Sequence, residues 1–254
     1  LKDLINFGAM SHDMARFLDV CTIIKKNTLV SGGTGSGKTT LLNVLGTRIP
    51  GNERTLIIED TAELQIKSAH VVRFETKHKN WEGKGEVSIR DLVKAALRLR
   101  PDRIIVGEVR GPEALDLIQA MNTGHDGSMG TLHANNPVQA MNRLETLCMI
   151  GDTGVPAHVI RAQVADAIHL IVQANRLRDG SRKITYISEC TGVNDHGSYI
   201  LRDIFKFQQT GIAPDGKIIG AHMPTGNIPS FWSSIETSGV PFPISVFSVD
   251  KKAA

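Results

Sequence analysis

Apolar positions recur with two different periods along this chain, and the changes of period mark its elements. After Ser11, Met14, Phe17, Leu18 and Cys21 fall on one helical face, with Ser11 as the cap and Lys25 and Lys26 where positive charge suits the end of a helix dipole. Thr28-Leu29-Val30 is short, apolar and partly β-branched, as a buried strand is, and Leu41, Leu42, Val44 and Leu45 then return to helical spacing. A second apolar run, Arg54 to Asp60, ends in acids, and Val71 to Phe74 is a third. His78 to Glu86 is polar and carries glycine, which predicts a loop, and Ser88 then caps a helix that Pro101 stops after Arg100. A strand from Arg103 to Glu108, a helix from Pro112 to Asn122 and a strand from Met129 to His133 complete the alternation. Buried strands alternating with helices predict a mostly parallel α/β sheet.

Beyond His133 the pattern changes. Pro137 to Ile150 and Pro156 to Ile168 read as helices with proline in the first turn, and the runs His169 to Ala174 and Lys183 to Ser188 flank Asp179-Gly180 as an antiparallel hairpin. Arg176, Arg178, Arg182 and Lys183 cluster at that turn, a solvated loop or a contact with a subunit or membrane surface. From Thr210 onward the chain holds five of its ten prolines, which predicts an irregular C-terminal arm. Phe231, Trp232, Phe242 and Phe247 are costly to leave in water, so this arm is expected to pack on its own or a neighbouring subunit.

Composition narrows the class. A chain of 254 residues, 41% hydrophobic and 22% charged, can bury a full core and is expected to form one large domain with an appendage. No stretch approaches the roughly 18 apolar residues of a membrane span. Cys21, Cys148 and Cys190 lack C-x-x-C spacing and read as buried thiols in a reducing cytosol. A net charge of +3 and only two Trp and two Tyr argue against nucleic acid as a partner. The chain opens on Leu1 without an initiator methionine, which suggests a piece of a longer protein whose N-terminal domain lies upstream.

The chemistry concentrates between Val30 and Thr40. Gly32-Gly33-Thr34-Gly35-Ser36-Gly37-Lys38-Thr39 fits G-x-x-x-x-G-K-[ST], between a strand and a helix. Glycines let backbone N–H groups close around phosphate, and the following helix adds the positive end of its dipole. Gly33, Thr34, Gly35, Ser36, Gly37, Lys38, Thr39 and Thr40 are therefore the candidate nucleotide-binding residues, Lys38 for the β and γ phosphates and the Thr39 hydroxyl for Mg²⁺. In open α/β sheets ligands sit beyond the carboxyl ends of the strands. Glu59, Asp60 and Glu63 end or follow the second strand, Glu108 the fourth and His133 the fifth.

Four ordered blocks, Gly32 to Thr39, IEDTAEL at Ile58 to Leu64, RPDRIIVGEVRGPEA at Arg100 to Ala114 and TGHDGSMGTLHAN at Thr123 to Asn135, resemble the Walker A, Asp box, Walker B and His box of the type II/type IV secretion ATPases. Within that superfamily the likeness is to the CpaF-type, tight-adherence pilus ATPases, and it extends through INFGAMS, EGKGEVSIRDLV, NRLRDGSRKITYISE and the tail. The resemblance implies a RecA-like P-loop ATPase domain over residues 28–208, with a lead-in over 1–27 and a Pro/Gly-rich arm over 209–254. It also implies a homo-hexameric ring that uses ATP and Mg²⁺ at the cytoplasmic face of the inner membrane to drive a platform protein. By position Glu108 would be the base that orients water, Glu59 and Glu63 would support metal and water, and His133 would sense the γ-phosphate. Gly107 stands where many P-loop enzymes keep a metal-binding Asp, so the acids of the second strand would hold Mg²⁺ through water.

Phosphoryl transfer also calls for an arginine, and Arg100 is the best internal candidate, with Arg90, Arg98 and Arg103 left to helix solubility or subunit contacts. The phosphate loop alone also suits a RecA-like DNA translocase or helicase, a small-molecule kinase, or a structural ring gated by nucleotide. The first wants a basic stripe with stacking aromatics and the second an arginine-bearing lid, and neither is evident in the sequence.

Overall fold

In the computed structural model, which describes residues 1–151 and 154–249, Ser11 caps the first long helix by accepting the Met14 N–H at 3.2 Å. A single turn, α1 (Lys2–Asn6), precedes this helix, α2 (His12–Ile23). Then come β1 (Thr28–Gly32), α3 (Lys38–Gly46), β2 (Thr55–Glu59) and β3 (Val71–Glu75). Ser88 and Asp91 form a reciprocal capping box that starts α4 (Ile89–Ala96). The series continues with β4 (Arg103–Val106), α5 (Glu113–Met121), β5 (Met129–Leu132), α6 (Pro137–Met149) and α7 (Ala157–Ala167). Four antiparallel neighbours follow: β6 (Leu170–Arg176), β7 (Arg182–Val193), β8 (Tyr199–Ile212) and β9 (Ile218–Pro224).

All nine strands among the described residues join one sheet in the order β3-β2-β4-β5-β1-β6-β7-β8-β9. Pairing is parallel from β3 to β6 and antiparallel from β6 to β9. Alternation along the strands divides the core between the two faces. Val30, Ile57, Ile105 and Val172 meet α2 and α3 on one, while Leu29, Ile58, Val106 and Ile171 meet α4 to α7 on the other. These side chains are fully or almost fully buried, each contributing about 1.5–3 kcal/mol. β3 is at the edge and only half covered, unlike the buried strand its sequence suggests.

The expected hairpin is present, but the sheet does not stop there. β8 runs through residue 209 and β9 lies where little regular structure was expected. The glycines that suggested irregularity serve the strands instead: the pairing slips between Gln209 and Gly211, and a Cβ on Gly220 would lie 2.5 Å from the Phe207 ring. The irregular part of the arm begins after Pro224 and packs on its own chain, with α8 (Trp232–Glu236) and a 3₁₀ turn at Ile244–Phe247 as its helical pieces among the described residues. Phe231, Phe242 and Phe247 surround Phe17 with ring centroids 5.6–6.3 Å away. Residues 250–254 of the expected arm lie outside the described residues. Arg103, expected at the surface or a subunit contact, is wholly buried, donating to Glu53 at 2.5 Å and to the Thr22 carbonyl at 2.7 Å. Arg90 is committed to Asp116 at 2.8 Å. Among the described residues no helix is long and apolar enough to cross a membrane.

Candidate active site

Strand register gathers the site. Ser31 stands opposite Leu132, Gly130 opposite Val106, and Val106 opposite Ile58, so the chain leaves β1, β5, β4 and β2 side by side at their carboxyl ends. The loop after β1 must pass under a neighbour: a Cβ on Gly32 would lie 2.2 Å from the Ala174 carbonyl oxygen and 2.4 Å from Ser36 Oγ. Gly37 then turns into α3 with φ +97°, a conformation that only glycine takes cheaply. The first intrahelical bond at this end is Leu41 N–H to the Gly37 carbonyl, which leaves the N–H groups of Lys38, Thr39 and Thr40 free of helix partners. Ser36 Oγ is buried and, among the described residues, unpartnered. Free amides, an orphaned hydroxyl and an ammonium in one loop fit a polyphosphate.

Lys38 Nζ donates to the Gly33 carbonyl at 3.0 Å and to His133 Nε2 at 3.2 Å, and Thr34 Oγ1 lies 3.4 Å from the same nitrogen. On the other side of the ring, His133 Nδ1 is 2.5 Å from Glu108 Oε1. A carboxylate can only accept and an ammonium can only donate, so this arrangement selects the neutral imidazole with its proton on Nδ1. Glu108 Oε2 accepts from Arg110 Nη2 at 2.5 Å, and Arg110 Nη1 lies 3.8 Å from Asp60 Oδ2. Burial works to raise the Glu108 carboxyl, but hydrogen bonds from Arg110 and His133, with the charge of Arg110, outweigh it and hold the group below its usual range. Burial lowers the Lys38 ammonium, with Glu108 opposing.

Thr39, Glu59, Asp60, Glu63, Glu108 and Arg110 border one cleft of about 230 Å³. Glu59 is 4% exposed, and its Oε1 accepts the N–H groups of Glu63 and Leu64 at 3.0 and 2.9 Å. A Cβ on Gly107 would stand 2.9 Å from Glu59 Cγ, so the space a Walker B aspartate would need is filled by the acid of the neighbouring strand. Glu63 is exposed at the rim. No group of three or more His, Cys, Asp or Glu side chains among the described residues could hold a metal ion, and the Thr39 hydroxyl borders the same cleft as Glu59 and Glu108.

Most of the expected residues are thus brought together, but not Arg100. It caps a single 3₁₀ turn, Leu97–Leu99, with φ +51° before Pro101, and so precedes β4, whereas Glu108 follows that strand's opposite end. The arginine within the cluster is Arg110, two residues past Glu108 and not among the expected site residues. Arg182 was read as part of a basic turn, yet its Nε donates to the Gly35 carbonyl at 2.8 Å. There it borders a cleft of about 780 Å³ that runs from Gly35–Leu41 to Leu4 and Phe7.

The family model described as type II/IV secretion system protein matches residues 1–196. The conjugal transfer protein TrbB of Rhizobium radiobacter is 38% identical over 185 residues, covering 72% of this chain and 54% of the relative. The type IV secretion system protein VirB11 of Bartonella henselae is 34% identical over 198 residues, covering 74% of this chain and 55% of the relative. Among solved structures, the VirB11 ATPase of the Brucella suis type IV secretion system, in complex with sulphate, superposes with a TM-score of 0.63 at 28% identity, covering 74% of this chain and 55% of that one. The chain spans about half the length of the curated relatives it matches.

Proposed function

Because this chain belongs to the type II/IV secretion system protein family, we propose that it hydrolyses ATP to ADP and phosphate as the motor part of a secretion or pilus-assembly machine. The observation that carries this reading is the unbroken contact chain from the phosphate loop through Lys38, His133 and Glu108 to Arg110. Lys38 and the amides of Gly33 to Thr40 would hold the phosphates. Glu108, kept ionised by its neighbours, orients the attacking water and accepts its proton. His133 touches both the phosphate-binding lysine and the base, which suits a sensor of the terminal phosphate. Mg²⁺ would meet the Thr39 hydroxyl, with Glu59 and Glu63 supporting its water, and would supply charge neutralisation on the phosphates.

The finer reading is a CpaF-type motor of a tight-adherence pilus, working as a homo-hexamer against an inner-membrane platform protein. It is supported by likeness in EGKGEVSIRDLV and NRLRDGSRKITYISE, outside the catalytic blocks. Replacing Lys38 with alanine tests the activity: turnover should vanish and ATP affinity fall while the circular dichroism spectrum is retained. A folded Lys38→Ala protein with normal hydrolysis would sink the proposal.

A further inference from the structure

Among the described residues Arg110 is the one cation lining the 230 Å³ cleft beside Thr39, and its surroundings are acidic: Glu108 at 2.5 Å, Asp60 at 3.8 Å, and the charge of Glu63. Its backbone cannot travel far. The N–H groups of Arg110 and Gly111 both donate to Glu113 Oε1, at 2.7 and 2.8 Å, and the neighbouring Val109 N–H is tied to the Thr131 carbonyl at 2.9 Å. The side chain is freer, since 61% of it is exposed against 21% for Glu108. In the Glu108–Arg110 pair the guanidinium is therefore the partner that can leave, and the carboxylate, also bonded to His133, is the one that stays.

We propose that Arg110 is the arginine of this site: it occupies Glu108 Oε2 while no terminal phosphate is present, and turns to that phosphate when ATP enters, freeing the oxygen for water. A guanidinium matches a phosphate's paired oxygens as well as a carboxylate's, and a terminal phosphate brings more charge than the one acid it replaces. Exchange of partners makes the base available only when there is a phosphoryl group to attack. No other arginine borders this cleft among the described residues, and Arg100 precedes the opposite end of β4. This inference rests on the ATPase reading above.

The test compares the parent chain with Arg110→Gln and Arg110→Lys, measuring equilibrium binding of ATP and of ADP together with kcat and KM for hydrolysis. Arg110→Gln should lose its preference for ATP over ADP and should lower kcat about 10³-fold with a smaller change in KM, since the contact is strongest with the reacting phosphate. Arg110→Lys keeps the charge without the fork and should recover part of both. Retained ATP preference and kcat within about threefold of the parent in Arg110→Gln would overturn the assignment. So would ADP binding that falls as far as ATP binding in that variant. A parent chain that binds neither nucleotide would instead overturn the ATPase reading on which the inference stands.

Discussion

Gly107 shows how one residue shapes the chemistry around it. Its missing side chain lets Glu59 from the adjacent strand lie against the backbone, where that carboxylate caps the turn leading to Glu63. Adding one methyl would press on Glu59 Cγ, and Glu59 cannot swing aside without giving up two backbone N–H bonds. Gly107→Ala is expected to cost about 1–3 kcal/mol and to slow turnover. Thermal melts and steady-state kinetics check this, and an unchanged melting temperature with unchanged turnover would contradict it. At this scale the sequence was most legible where a motif fixes both residue type and spacing, as for Lys38, Glu108 and His133. It was least legible for Arg110 and Arg182, because an arginine near a strand end reads the same whether it faces solvent or a loop carbonyl.

At the scale of elements, periodicity found β1, β2, β4 and β5 because each is buried on both faces. It failed for β9, where Pro224 ends the strand and Gly220 sits in it because a ring from β8 crosses close by. Long-range pairing overrode the local signal there. The arm after Pro224 is held by aromatic packing and by Glu189, whose carboxylate accepts the Ser230 N–H at 2.9 Å. Phe247, 1% exposed among Phe17, Phe205, Trp232 and Phe242, is the centre of that contact. Phe247→Ala should remove about 3–5 kcal/mol of packing and release the arm before the sheet. Hydrogen exchange would then show loss of protection over residues 226–249 with β1 and α3 still protected; a uniform response across the chain would argue against a separable arm.

For the whole molecule, one sheet carries both the phosphate loop and the arm, and α2 joins them: Phe17 packs on the arm, and the chain reaches β1 five residues after Ile23. The chain spans about half the length of its curated relatives. What is internal to this chain is the division of labour between holding ATP and breaking it. In the proposed reading Lys38 and the loop amides hold ATP, while Glu108 acts on water. The most direct measurement is ATP affinity and hydrolysis in Glu108→Gln, which keeps the side chain's shape and removes its basicity. Affinity should stay close to that of the parent while turnover falls about 10²- to 10⁴-fold. Loss of ATP binding, or turnover that survives, would contradict the assignment of Glu108 as the base.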